Sequence, residues 1–149
     1  MRQRGFSFVE ILIVMVLIGI IASLGIPSIK SAVEKTNVRS ARVAAGTLVV
    51  KARAAAIQRG CASAIHFTSG VSGTVWVTTC KVNVSGVDTL GGIERLAARY
   101  NVTLTASSDS VRYMPNGVAL GNNANTVLTF VSNSARDSVV INSVGRVVR

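Results

Sequence analysis

A chain of 149 residues has room for one compact domain and one accessory segment. Sixteen basic residues against six acidic ones give a formal net charge of +10. That balance favours anionic partners such as nucleic acid, lipid headgroups or an acidic subunit face, or it simply solubilises the surface, and it says nothing about fold. Hydrophobic residues make up 49% of the chain but are unevenly spread, with a dense block in the first thirty positions and an ordinary half-polar remainder.

The chain opens Met1-Arg2-Gln3-Arg4-Gly5-Phe6-Ser7-Phe8-Val9-Glu10, and residues 11–29 then carry no charge. Nineteen such residues are enough for a helix to cross a hydrocarbon core of about 30 Å. Arg2 and Arg4 precede the run, so the positive-inside rule keeps the N-terminus cytoplasmic and sends the remainder outward. An ordinary secretory signal would have a shorter apolar core, about seven to fifteen residues, ending at a small-residue cleavage site. It would also have no use for Glu10. A carboxylate costs about 2.5–3.5 kcal/mol at the centre of a membrane helix and less near its edge, so Glu10 is a functional candidate.

Arg4-Gly5-Phe6-Ser7-Phe8-Val9-Glu10 ahead of a long apolar run resembles the class III signal of type IV pilins and their secretion-system relatives. The resemblance implies that a prepilin peptidase cuts between Gly5 and Phe6 and methylates the new amine of Phe6. Glu10 is then the fifth residue of the mature chain, the position that is acidic in the family. In a filament a buried Glu10 would neutralise the Phe6 amine of a neighbouring subunit, and pairing the two favours one axial register. Pro27 fits the family as well, removing one helical hydrogen bond and kinking the helix. Gly19 and Gly25 add flexibility or close helix packing.

Helical periodicity continues from Ser28 to about Gln58. Ala41, Ala44, Ala45, Leu48, Ala52 and Ala55 fall on one face, while Lys35, Arg39, Arg42 and Arg53 fall on another. The small residues predict close packing on a sheet. The basic stripe predicts solvent, neighbouring subunits or nucleic acid. Gly46 weakens the helix by about 1 kcal/mol relative to alanine, and Arg59-Gly60 reads as its C-terminal stop.

Beyond Gly60 the pattern turns toward period two. Ala64-Ile65-His66-Phe67 and Thr74-Val75-Trp76-Val77-Thr78 predict a hairpin across Ser69-Gly70-Val71-Ser72-Gly73. Further strands are predicted at Val102-Thr103-Leu104-Thr105, Val111-Arg112-Tyr113-Met114, Thr126-Val127-Leu128-Thr129-Phe130-Val131 and Ser138-Val139-Val140-Ile141-Asn142, with one or two helical turns between Gly92 and Tyr100. Asn116-Gly117 and Asn142-Ser143-Val144-Gly145 are turn signals. The plan is α+β: a long N-terminal transmembrane-plus-amphipathic helix packed on an antiparallel β-sheet domain. The expected organisation is a leader at 1–5, a transmembrane or filament-core helix at 6–29, its amphipathic extension at 30–59, and a β-rich domain at 60–149. If that domain is exported, Cys61 and Cys80 can pair, and a loop of about twenty residues adds roughly 3 kcal/mol by constraining the unfolded chain.

The order of these elements is similar to the GspH/FimT group of the pilin superfamily. Trp76 in an early strand, Tyr113-Met114-Pro115-Asn116-Gly117, and the ending Gly145-Arg146-Val147-Val148-Arg149 carry the likeness. Group members often end Gly-Arg-Val-Arg, and here one residue more precedes the last arginine.

Little in the chain suits catalysis. His66, the only histidine, sits in a strand between Ile65 and Phe67 and reads as structural or surface-exposed. No His, Cys and Asp cluster has metal-ligand spacing, and there is no phosphate loop or nucleophile elbow. No enzyme activity and no cofactor are expected. Two functions remain. In the first the chain is a minor pilin or pseudopilin, a subunit that aids initiation of a type IV pilus or type II secretion pseudopilus. Its partners are then other pilins, the prepilin peptidase and the bacterial inner membrane, with the C-terminal domain periplasmic. In the second it is a minor pilin that receives double-stranded DNA during natural transformation, through phosphate contacts of Arg146 and Arg149 with Arg136 and Arg112 as neighbours. The same arginines also suit an edge strand protected against aggregation.

Overall fold

A computed structural model describes residues 7–81, 85–120 and 125–148. One helix, α1 (Phe8–Arg59), precedes β1 (Ser63–Phe67), β2 (Val75–Cys80), β3 (Val87–Glu94), a short α2 (Leu96–Tyr100), β4 (Thr103–Ala106), β5 (Ser110–Tyr113), β6 (Ala119–Leu120), β7 (Thr126–Ser132), β8 (Ala135–Ile141) and β9 (Val147–Val148). The chain divides into two units, Met1–Val33 and Glu34–Arg149.

In the first unit α1 begins when the Ser7 carbonyl accepts the amides of Glu10 at 3.0 Å and Ile11 at 3.3 Å. The helix is continuous through Pro27. Its most apolar stretch has a mean hydropathy of 2.8 and is 0% buried. A helix apolar on every side and covered on none needs lipid or other helices around it.

The second unit holds the core. From α1 it takes Val38, Ala41, Ala45, Val49, Ala52 and Ala56, a stripe at spacings of three and four. Small side chains let the helix backbone lie close to the strands, against Ile65, Phe67, Val77, Leu104, Tyr113, Leu128 and Phe130. The alanine stripe read from the sequence is thus the packing face, with Ala44 and Leu48 at its margin. At its far end α1 stops at Gly60, whose φ is +61°.

The strands form two antiparallel sheets, ordered β3-β2-β1-β5-β6 and β4-β7-β8-β9. Period-two burial gives each sheet an inner and an outer face: Ser63, Ile65 and Phe67 of β1 point inward, and so do Val75, Val77 and Thr79 of β2. The predicted hairpin is present, with His66 opposite Trp76 and Phe67 opposite Val75.

Several features differ from the sequence reading, the short β6 among them. β3 was not expected; it is an edge strand containing Gly91 and Gly92, so it lacks the β-branched run that marks a strand. The helical segment predicted from Gly92 starts only at Leu96, because β3 extends to Glu94. β8 starts at Ala135, three residues early, since Ser132 pairs with Ala135 across a tight turn in which Asn133 has φ +45°.

The Tyr113-Met114-Pro115-Asn116-Gly117 segment makes the turn between β5 and β6. Met114 N–H donates to the Val118 carbonyl at 2.9 Å, and Asn116 Oδ1 accepts the Val118 amide at 3.1 Å. Gly117 has φ +77°, a left-handed conformation that favours glycine, and it lies against the end of the Ile57 side chain on α1.

Candidate assembly and recognition surfaces

Glu10 is the one acidic residue in the first turn of α1, exposed among exposed apolar side chains. A carboxylate near a helix N-terminus is favoured by the helix dipole, yet among the described residues no cation pairs with it. Gly5 and Phe6, the residues of the expected processing site, lie outside the described residues.

Where α1 ends, three interactions tie it to the first sheet. Cys61 and Cys80 form a disulfide with Cα atoms 6.3 Å apart. Arg59 donates to the Cys80 carbonyl at 2.7 Å and pairs with Asp88 of β3 at 3.5 Å. The strand after the helix therefore leaves at a fixed angle.

The outer face of the first sheet carries His66 stacked on Trp76, ring centroids 5.1 Å apart and planes 15° from parallel. The ring's Nε2 lies 2.8 Å from Thr78 Oγ1. Burial under the stack, and secondarily the positive charge of Arg112, hold His66 below its ordinary value of 6.5, so the ring is neutral near pH 7. Arg112 lies beyond Ala64 on the same face. A histidine partnered in this way is held in place by packing; among the described residues no group of three His, Cys, Asp or Glu could hold a metal ion.

Arg146 sits in the tight turn before β9, where its amide donates to Asn142 Oδ1 at 2.7 Å. The turn is pinned to the first sheet by Tyr113, whose hydroxyl donates to the Gly145 carbonyl at 2.9 Å. Burial pushes the Tyr113 hydroxyl up to about 12, against a smaller opposing effect of Arg53. Gly145 has φ +82° and its missing Cβ would collide with the Tyr113 ring, so the glycine of the C-terminal motif is what admits the tyrosine.

Of the four arginines proposed from sequence, the three described ones, Arg112, Arg136 and Arg146, do not converge. Arg112 is on the outer face of the first sheet, and Arg136 is in β8 of the second. Arg146 bonds Asn142, just past the end of β8 and six residues on from Arg136, or about 20 Å of extended chain. Arg149 lies outside the described residues. The basic stripe of α1 also needs correction. Lys35 and Arg39 are exposed as expected, but Arg42 is only 16% exposed and spans both carboxylate oxygens of Asp137, at 3.2 and 3.4 Å. An arginine whose charge is matched inside its own fold straps the helix to β8 and presents no free cation.

Residues 1–26 match the model of the prokaryotic N-terminal methylation motif, and residues 46–145 match that of the Type II transport protein GspH. The chain belongs to the GspH/FimT family of minor pilins and pseudopilins. Its GspH span starts midway along the buried face of α1, takes in β1 to β8, and ends at Gly145, the residue against Tyr113. Arg146 and Arg149 fall just beyond it.

The fold of this GspH-family chain is similar to that of the type IV minor pilin FimU of Pseudomonas aeruginosa strain PAO1. One crystal form aligns with TM-score 0.60 and 14% identity over 77% of this chain and 89% of that one. A second aligns with TM-score 0.56 and 14% identity over 74% and 90%. No curated protein sequence matches. At such identity the likeness carries the architecture: a long N-terminal helix packed on antiparallel sheet.

Proposed function

We propose that the chain is a filament subunit, processed between Gly5 and Phe6, methylated on the Phe6 amine, and anchored once in the bacterial inner membrane before it enters a pilus or pseudopilus as an initiating or low-abundance component. The observation that carries this reading is the uncovered apolar helix with a single carboxylate in its first turn, within the span that matches the methylation motif. In a filament the apolar surface is covered by the helices of other subunits, and Glu10 meets the Phe6 amine of its neighbour. Losing one member of such a pair in an apolar surround costs about 3–5 kcal/mol, because the other charge is left uncompensated.

The test is the amount of chain in sheared filaments for wild type, Glu10→Ala and Glu10→Gln, with the intact mass of the processed chain read in parallel. Both variants should be cut and methylated normally yet enter filaments at least tenfold less. Normal incorporation of Glu10→Ala would refute the pairing, and an uncut wild-type chain would refute the processing. Of the arginines of the DNA-receptor alternative, Arg112, Arg136 and Arg146 occupy separate surfaces.

A further inference from the structure

Arg136, separated from Arg112 and Arg146, has other company. With Lys35 and Arg39 of α1 it lines a cleft of about 410 Å³ whose remaining wall is Val38, Ser134, Ala135 and Asp137. All three cations are exposed, and among the described residues none is ion-paired. Two carboxylates lie close by, and both have partners of their own. Asp137 is held by Arg42, and Glu34 accepts from Asn133 Nδ2 at 2.7 Å and Ser134 Oγ at 3.4 Å. Arg42 neutralises Asp137, Glu34 keeps its charge but is not part of the cleft wall, and Lys35, Arg39 and Arg136 are left as three unpaired cations lining one concavity.

We propose that this cleft binds the phosphate of an anionic lipid headgroup, holding the globular unit against the membrane before the subunit is drawn into a filament. The inference rests on the reading of residues 11–29 as a membrane anchor. Lys35 follows the last residue of that run by six positions, at most about 20 Å of chain whatever its direction. The headgroup zone is the anionic surface such a tether keeps within reach. Two arginines and a lysine around one cleft suit a phosphate, since guanidinium groups donate in pairs and lysine adds a point charge. Separation of 97 positions between Arg39 and Arg136 means that only the folded unit assembles the site.

The experiment places the full chain in phosphatidylcholine nanodiscs doped with a phosphatidylglycerol that bears a photoreactive headgroup, and maps crosslinked peptides by mass spectrometry. Wild type should crosslink both at 35–39 and at 134–137. A Lys35→Gln/Arg39→Gln/Arg136→Gln variant should lose about tenfold of the crosslinking at 134–137. A charge-matched Lys51→Gln/Lys81→Gln/Arg95→Gln variant should keep it, as should Lys35→Arg/Arg39→Lys/Arg136→Lys, which retains the charges if the first variant is misfolded. Crosslinks confined to the anchor, or unchanged in the first variant, would overturn the proposal. Displacement of the lipid by equimolar inorganic phosphate or a short DNA duplex would overturn it too, in favour of a free-anion or nucleic-acid surface. A chain that fails to co-elute with the nanodisc would overturn the anchor as well as the cleft, whereas a co-eluting chain without the 134–137 crosslink overturns the cleft alone.

Discussion

Removing the Cys61–Cys80 bridge should cost the globular unit about 3 kcal/mol without changing its native contacts. The two cysteines are 19 positions apart, and closing such a loop in the unfolded chain is worth −2.1 − 1.5R ln n, about −11 cal/mol/K, or about 3 kcal/mol at room temperature. The native end of the cycle should change little. Arg59 still donates to the Cys80 carbonyl at 2.7 Å and pairs with Asp88, and Ser63 Oγ still donates to the Thr78 carbonyl at 2.8 Å. Every buried residue of the core lies within Glu34–Arg149, so this segment is suited to the measurement. Urea unfolding of a Cys61→Ser/Cys80→Ser double variant should shift the midpoint down by about 1–2 M with a slightly larger m-value, because the uncrosslinked unfolded chain is less compact. The melting temperature should fall by roughly 10 °C. A loss under about 1 kcal/mol would refute the unfolded-chain account. A loss above about 6 kcal/mol would show instead that the bridge, and not Arg59, holds the helix–sheet junction together.

Two further outcomes follow from buried or stacked titratable groups. Tyr113→Phe removes the only donor to the Gly145 carbonyl shown here and should cost about 1–2 kcal/mol at neutral pH. Since the folded hydroxyl titrates at about 12 and the unfolded one at 10.0, wild type keeps its full Tyr113 contribution below pH 10 and loses it as pH rises toward 12. The phenylalanine variant should lack that alkaline loss in urea titrations run across the window, and an identical loss in both proteins would refute the assignment. His66 is held below 6.5 in the fold, so its contribution is complete above pH 6.5 and declines as pH falls through the folded value. In an NMR titration of the His66 ring, Arg112→Gln should move the midpoint up toward 6.5, while a wild-type midpoint at or above 6.5 would refute the burial argument.

What could be read from the chain without its fold was whatever repeats locally. An uncharged run, a 3.6-period alanine stripe and alternating strands each show themselves within a few turns or residues, and the helix, its packing face and most strands stand where that periodicity puts them. β3 escaped because an edge strand with one thin face needs no hydrophobic alternation, and its two glycines further weaken the pattern. Charge partners escaped for a different reason. Arg42 and Asp137 are 95 positions apart, so periodicity correctly assigned Arg42 to a helical face yet could not show that this face meets β8. The same blindness grouped Arg136 with the other C-terminal arginines, its neighbours in sequence, when the fold sets it beside Lys35 and Arg39. A basic residue thus has a role only relative to the acids around it. In this chain Asp137 consumes Arg42 and Asp88 consumes Arg59, and the excess of cations over acids, visible at once as +10, becomes a located surface only after those pairs are subtracted. Among the described residues, subtraction leaves Arg146 of the C-terminal turn unpaired as well, so what sets the cleft on α1 and β8 apart is that three unpaired cations line one concavity there.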